Sequence, residues 1–307
     1  MQANALRVIS LARPFMVVLF LLAVLTSALA QQPGAYPPFT MTTRTTVYTA
    51  KGEAISVSSA TRYDSANGDW RHVSNVGGYE RATIYRRGRG VYTADARAGV
   101  TLKESAHAPG CPLRTAAQLL RDKDFIRIEK ILGFEAYVLV KKFPGIEFRI
   151  ETAFVPELGG GSPFKQVTIF DDGRQIVSEP IEVKLGEPTW ADLRGPNFPV
   201  DENIPVFDKD LARKVISQPD PVLRPYVDAE EFVFRNSVDV GVVIDESGQV
   251  LTAEANTPVT AIRDIAIAAA YQASFSPTLC NGRPVKARGY LRYQIINPEI
   301  ARRRPRA

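Results

Sequence analysis

The chain has 307 residues, of which 45% are apolar and 23% charged, as in ordinary folded proteins. This composition argues against extensive disorder, and the length suffices for two hydrophobic cores. Of the 38 basic residues, two lie in the N-terminal leader and four in the C-terminal tail, which leaves 32 against 33 acidic residues. The body of the chain is therefore nearly neutral, and we expect no nucleic-acid binding.

The first 30 residues have the pattern of a signal peptide. Arg7 and Arg13 precede an uninterrupted apolar run at 15–25, and Ala28 and Ala30 suit a signal peptidase. Cleavage after Ala30 would give a periplasmic or secreted chain without a stable membrane span. The alternative is an inner-membrane anchor formed by residues 14–30, which is short against the roughly 20 residues that a spanning helix needs.

Residues 31–200 are predicted to form a β-rich domain. Turn pairs such as Asn67-Gly68 and Asp172-Gly173 separate strand-like runs, and one short helix is predicted at 113–121. The predicted strands are residues 40–49, 53–63, 70–76, 82–86, 90–95, 125–130, 135–142, 146–154, 164–170 and 175–185. So many successive strands favour a curved, mainly antiparallel sheet.

The order of elements from 134 to 198 also suggests a relationship. Together with Pro156-Glu157-Leu158-Gly159 and Gly186-Glu187-Pro188, it resembles the sheets of periplasmic LolA/LolB-like lipoprotein carriers. The resemblance implies a concave apolar face that holds a lipid or another hydrophobic ligand. The alternative is that the same apolar residues are simply the core of the sheet.

Residues 201–236 are predicted to be a proline-bearing connector. A short amphipathic segment covers 208–216, and prolines at 205, 219, 221 and 225 stiffen the stretch. The connector is short, and the basic tail at 298–307 is expected to be a solvated end.

The segment 237–297 is predicted to be a small α+β domain. Apolar residues alternate along 238–244, Asp245 to Gly248 forms a turn, and residues 249–255 return as a second strand. A helix is expected after Thr257-Pro258, because apolar residues then recur at helical spacing. Asn281-Gly282 turns the chain into a long final strand that runs from 285 to 296.

Several blocks of this segment resemble the C-terminal domain of TonB-family proteins. They are Val238 to Asp245, Gly248 to Val250, Ala268 to Ala270, Phe275 to Pro277 and Asn281 to Val285. The resemblance implies a sheet packed on one helix, which in classical members captures a peptide of an outer-membrane transporter as an added strand. Classical members also have a long proline-rich arm and a histidine in their anchor. This chain has neither, so we do not extend the resemblance to energy transduction.

The resemblance implies that the final strand binds an extended peptide or an envelope protein, such as an outer-membrane transporter. The residues expected to take part are Lys286, Arg288, Tyr290, Arg292 and Gln294. If this strand is an edge, its main-chain groups can pair with the partner. The alternative is that Arg288 and Arg292 protect the edge against aggregation.

Signals for catalysis are scarce in the sequence. His72 and His107 have no metal-ligand spacing around them, and no phosphate-binding loop or nucleophile elbow is present. We therefore predict a non-enzymatic protein without cofactor or metal.

Cys111 and Cys280 are the only cysteines of a chain that we place in an oxidising compartment. A disulfide between them is one alternative and two free thiols are the other, because each lies beside a turn and nothing in the sequence sets their distance.

Two functions follow from these patterns. The first is an exported envelope protein whose TonB-like domain binds a protein or peptide in periplasmic binding or transport. The alternative is a periplasmic carrier whose β-rich domain holds a lipid or hydrophobic ligand, with the TonB-like domain for docking. A deep apolar cavity within residues 39–200 would favour the carrier, whereas a filled core with an open edge at the final strand would favour peptide capture.

Overall fold

The computed structural model describes residues 36–294 except 77, 107–113, 144–147, 222–236, 256 and 258. The leader, the basic tail, His107 and Cys111 lie outside the described residues, as do the predicted cleavage site and the alternative anchor.

The described chain is mostly β-sheet, and twelve strands form one large curved sheet. Its strands are β1 (Phe39–Tyr48), β2 (Ala54–Asp64), β3 (Trp70–Val76), β4 (Tyr79–Arg86), β5 (Gly90–Asp95), β6 (Val100–Ser105), β7 (Phe125–Ile131), β8 (Phe134–Lys142), β9 (Phe148–Phe154), β10 (Lys165–Phe170), β11 (Gln175–Leu185) and β12 (Val200–Asp201). Their order is β12-β6-β5-β4-β3-β2-β1-β11-β10-β9-β8-β7. The neighbours are antiparallel except β12, which pairs with β6 in parallel.

This topology confirms the predicted antiparallel sheet. β1 lies near its centre between β2 and β11, and the chain passes from one end of the sheet to the other between β6 and β7. The sequence analysis missed β6, whose short run carries Lys103 and Glu104, two residues of low strand propensity.

The sheet has an inner face, which we define as the face that carries the helices α1 (Ala116–Leu120) and α3 (Thr260–Ala270). Leu119 of α1 is fully buried against Tyr137 and Leu139 of β8. α1 is shorter than the predicted helix at 113–121, because Thr115 caps its first turn by accepting a hydrogen bond from the Gln118 backbone. The remaining helix, α2 (Trp190–Arg194), lies beside β3, where Arg71 Nη1 donates to the Asp192 carbonyl over 2.9 Å.

A second, four-stranded sheet follows the large one. It contains β13 (Val206–Phe207), β15 (Ser237–Ile244), β16 (Val250–Ala255) and β20 (Ala287–Gln294) in the order β13-β20-β15-β16. α3 packs on this sheet and buries Ile262 and Ala266 against strand residues such as Val240 and Leu291. Two short ladders complete the unit. They pair β14 (Val215–Ser217) with β17 (Ser274–Phe275) and β18 (Thr278–Cys280) with β19 (Arg283–Val285).

The final strand differs from its prediction. A single strand was expected from 285 to 296, but Val285 pairs with Thr278 in the β18–β19 hairpin, and β20 starts only at Ala287. The predicted Asn281-Gly282 turn is confirmed, since both residues have positive φ angles of 50° and 76°. The hairpin therefore takes the first part of the predicted strand.

The described part of the connector contributes to both sheets. β12 pairs with β6 of the large sheet, and β13 pairs in parallel with β20 of the small one. In place of the predicted amphipathic segment at 208–216, a 3-10 turn covers Leu211–Lys214. Leu211 is fully buried, and a Cβ atom on Gly289 would lie only 2.6 Å from the Leu211 Cβ. Gly289 thus lets the connector pack directly on β20.

Candidate functional site

A cluster of buried apolar side chains lies between the start of β1 and residues 155–164, the segment that connects β9 to β10. Its buried members are Phe39, Met41, Ala136, Val138, Ala153, Val155, Leu158 and Phe164. Phe164 also packs edge-on against Phe134, with ring centroids 5.8 Å apart. We call residues 155–164 the covering loop, because they close over an apolar part of the sheet.

The sequence of the covering loop dictates its tight shape. Pro156 opens a 3-10 turn, and Gly159 and Gly160 follow with φ angles of 92° and 60°. A Cβ atom on Gly159 would lie 2.4 Å from the Tyr36 ring, and one on Gly160 would lie 2.1 Å from the Arg114 carbonyl oxygen. Only glycine combines these angles with such close contacts.

One charged side chain joins the covering loop to the sheet. Arg62 of β2 donates from Nη1 to Ser162 Oγ over 2.7 Å, and from Nη2 to Asp64 Oδ1 over 2.9 Å. Its guanidinium also stacks over the Trp70 ring, 5.5 Å from the ring centroid. Asp64 is fully buried and Arg62 nearly so. A buried ion pair loses much free energy of hydration, so it persists only when its hydrogen bonds are satisfied, as they are here.

Two titratable groups near Arg62 have shifted pKa values. His72 lies opposite Arg62 in the neighbouring strand β3. Burial lowers the pKa of His72 to about 4, and the positive charge of Arg62 acts in the same direction. Burial, with a smaller contribution from the Asp64 charge, raises the pKa of Tyr36 well above its usual value. At neutral pH the site therefore contains a neutral imidazole, a neutral phenol and one buried ion pair.

The covering loop closes tightly over the sheet. The space between Phe39, Met41, Arg62 and the loop residues Leu158 and Phe164 has a volume of about 10 Å³. This is at the lower limit of what one water molecule occupies. The site therefore combines an apolar floor, one guanidinium at its side and a glycine-rich cover that packs directly on the sheet. The deep apolar cavity that would favour a carrier is not seen among the described residues, where this part of the sheet is a filled core.

The sequence analysis did not single out Arg62, Asp64 or Ser162. A signal was present, because Arg62 and Asp64 are opposite charges two positions apart on one strand and therefore share a face. His72 was interpreted as a surface or sheet residue, and it lies half-buried in β3.

The residues predicted to bind a partner lie on or beside β20. Arg288, Tyr290, Arg292 and Gln294 share one face of this strand, while Ala287, Gly289, Leu291 and Tyr293 are buried on the other. β15 pairs with β20 along its whole length on one side, whereas β13 pairs only with Ala287 and Arg288 on the other side. Gln218 also donates to the Arg292 carbonyl oxygen over 3.0 Å.

Several of these side chains are held by carboxylates. Arg292 forms a bidentate pair with Asp239, with Nε 2.7 Å from Oδ1, and this hydrogen bonding raises the pKa of Arg292. Lys286 precedes β20 and pairs with Asp201, which raises the pKa of Lys286. The exposed aromatic pair Phe207 and Tyr290 lies on the same surface, with ring centroids 6.4 Å apart. The partner-binding role of these residues remains a prediction.

Polar contacts fix the small sheet and α3 against the inner face of the large sheet. Tyr271 donates to Asp95 over 2.7 Å, and Arg81 pairs with Glu254 at 3.0 Å. Arg288 of β20 pairs with Glu104 of β6. Burial, followed by the charge of Asp95, raises the pKa of Tyr271. The two sheets are therefore joined by specific hydrogen-bonded pairs.

Within the described part of the chain, no three His, Cys, Asp or Glu side chains are grouped to hold a metal ion. None of the described helices has the length and hydropathy needed to cross a membrane. Cys280 is exposed in β18, and because Cys111 lies outside the described residues, their disulfide stays a prediction.

Comparison with known proteins gives distant likenesses in fold only. No protein family and no curated protein matches the sequence. One similar solved structure is that of PNGF-II, with 13% identity, a TM-score of 0.34, and coverage of 69% of this chain and 45% of that one. This chain thus spans less than half of that protein.

Two smaller proteins are covered almost completely. A LolA-superfamily protein from Nitrosomonas europaea has 10% identity and a TM-score of 0.25, with coverage of 55% of this chain and 94% of that one. A DUF1329-family protein from Desulfovibrio piger has 7% identity and a TM-score of 0.25, with coverage of 53% and 91%. The TonB resemblance gains no support from these comparisons and stays a prediction.

Proposed function

We propose that the protein is an exported, non-enzymatic carrier of a hydrophobic molecule with a long acyl chain. In this proposal the large sheet binds the ligand beneath the covering loop, in the periplasm or outside the cell. The observation that carries the proposal is the glycine-rich loop that closes over a buried apolar surface and is held there by the Arg62–Ser162 hydrogen bond.

The free energy of opening the loop limits the kind of ligand. Opening would expose Phe39, Met41, Leu158 and Phe164, each of which contributes roughly 1.5–3 kcal/mol when buried. A ligand compensates for this loss at about 0.8 kcal/mol for each methylene group that it buries. An acyl chain of about ten carbons therefore offsets the loss, whereas a small polar solute does not.

Peptide capture by the final strand is less favoured. The backbone of β20 pairs with β13 at residues 206–207, and Gln218 occupies a further carbonyl. A peptide could pair with Ala287, Arg288 and the Arg292 carbonyl on this side only after these connector residues had left. The exposed Phe207–Tyr290 pair instead offers an aromatic surface on which an envelope protein can dock, and we assign the small sheet this docking role.

Titration of the mature protein with a fluorescent fatty acid tests the carrier proposal. We expect saturable binding with one molecule per chain and competition by unlabelled fatty acid. Met41→Gln keeps the side-chain length but places an amide on the apolar floor, and it should weaken the affinity about tenfold. Val57→Gln is the matched control, because Val57 lies on the exposed face of neighbouring β2. Equal affinity of both variants and the native protein would contradict the proposal.

A further inference from the structure

β7 is one edge strand of the large sheet, and β12 is the other. Among the described strands it pairs with β8 alone, so one row of its main-chain groups faces outward. Ile126 and Ile128 on this strand are about half exposed, at 49% and 47%. β7 contains no proline, and one end of the strand adjoins the exposed Leu132. β7 also carries Arg127, Glu129 and Lys130, and its ladder with β8 has a bulge between Phe125 and Arg127. Charges and bulges of this kind disfavour unspecific pairing, so a second strand can add to this edge only where its own charges match.

The sequence of β7 is self-complementary about its centre. When two copies run antiparallel with Ile128 facing Ile128, Arg127 of each copy lies opposite Glu129 of the other. Phe125 then lies opposite Ile131, and Ile126 lies opposite Lys130. Directly opposed residues share a face of the sheet, so each Arg–Glu pair is a cross-strand ion pair and each apolar pair is in contact.

We infer that two copies of this chain associate edge to edge along β7, with a two-fold axis at Ile128. The two large sheets become one continuous antiparallel sheet, and the same strand of each copy forms the interface.

Charge selects this register over its neighbours. A register centred on Arg127 places two arginines opposite each other, and one centred on Glu129 places two glutamates there. A register centred between two residues places Arg127 directly opposite Ile128. Opposed residues share a face of the sheet, but Arg127 and Ile128 point to opposite faces of β7, so this register does not match the faces of the two sheets. Of these registers, only the one centred on Ile128 places Arg127 opposite Glu129 and keeps opposed residues on one face of the sheet.

The carboxylate of Glu129 has capacity for a second guanidinium. Within one chain it lies 3.3 Å from Arg127 Nε and 3.9 Å from Lys165 Nζ. A carboxylate offers about four acceptor positions, so an arginine of the second copy can join this cluster without breaking it.

Sedimentation velocity of the mature protein over about 1–100 µM tests the interface, since a single-strand contact gives modest affinity. We expect a reversible monomer–dimer equilibrium. Arg127→Glu and Glu129→Arg should each weaken the dimer about tenfold, because each sets like charges opposite each other twice. The double variant R127E/E129R restores opposite charges and should restore the dimer.

Arg44→Glu is the matched control, because Arg44 forms a similar exposed ion pair with Glu179 in the middle of the sheet. It should leave association unchanged. Thermal unfolding of each variant shows whether the fold is intact. A native protein that stays monomeric throughout this range overturns the proposal. A dimer whose affinity is unchanged by both single charge reversals also overturns the proposal, since it must form through another surface.

Discussion

Arg62 and Ser162 are 100 positions apart in the sequence, yet Arg62 Nη1 donates a 2.7 Å hydrogen bond to Ser162 Oγ. This contact ties the covering loop to the central strands of the large sheet. Like the hydrogen bond from the Arg114 N–H to the Gly159 carbonyl oxygen at 3.3 Å, it must break before the loop can move away from Phe39 and Met41.

Ser162→Ala should make ligand entry faster. The substitution removes the hydroxyl that accepts from Arg62 Nη1. Loss of this hydrogen bond destabilises the packed loop by about 1–3 kcal/mol. Stopped-flow mixing with a fluorescent fatty acid should show an association rate several-fold above that of the native protein. Ser178→Ala is the control, because the Ser178 hydroxyl bonds to Thr45 away from the loop. An unchanged rate for Ser162→Ala would show that this bond does not control the loop.

Asp64→Asn should destabilise the whole fold. Asp64 is fully buried, and its carboxylate balances the Arg62 guanidinium. Removing one partner of a buried ion pair costs about 3–5 kcal/mol, because the other charge stays buried. Urea unfolding monitored by circular dichroism measures this loss. Asp172→Asn, in an exposed pair with Arg174, should cost less than about 1 kcal/mol. Similar losses for both variants would mean that the burial of Asp64 is unimportant.

Stability should fall between pH 6.5 and pH 4 because of His72. Its pKa is about 4 in the folded protein, against an ordinary value of 6.5, so the unfolded chain binds more protons in this window. Acid therefore favours unfolding. The free energy of unfolding that the neutral His72 imidazole contributes is lost as the pH falls through 6.5 towards 4. The loss amounts to at most about 3 kcal/mol.

Unfolding free energies of native protein and His72→Gln at pH 7 and pH 4.5 measure this effect. The variant should lose less stability on acidification than the native protein. Equal losses would assign the acid sensitivity to other groups.

Leu132→Asn should stabilise the protein. Leu132 lies in the turn between β7 and β8 with a φ angle of 50°, a conformation that costs leucine roughly 1 kcal/mol and that asparagine tolerates. The side chain is half exposed, so little packing is lost. The midpoint of thermal unfolding should rise by a few degrees. A lower midpoint would indicate that Leu132 makes a stabilising contact that outweighs its backbone strain.

The large sheet was predictable because its strands alternate clearly and end at turn residues. The predicted run at 70–76 matches β3, and Asn67-Gly68 precedes it in a turn. The two-residue strands β12 and β13 were not predictable, since a period of two cannot be seen over two residues. β13 changes the interpretation of the start of the final strand, because it pairs with Ala287 and Arg288 of β20.

The candidate site was harder to predict than the fold. Arg62 meets Ser162 only because β2 pairs with β1 and the loop after β9 folds back over β1. Such contacts depend on register and loop path, which local patterns do not contain. The opposite charges of Arg62 and Asp64 on one strand face were visible, but their burial was not.

Photo-crosslinking with a fatty acid that carries a diazirine on its acyl chain tests the carrier function most directly. The native protein is irradiated with the bound probe, and the labelled peptides are mapped by mass spectrometry. The account predicts labels at residues 39–41 and 155–164, with loss of labelling when excess unlabelled fatty acid is present. Labels confined to residues 206–218 and 287–294 of the small sheet, or no saturable labelling, would contradict it.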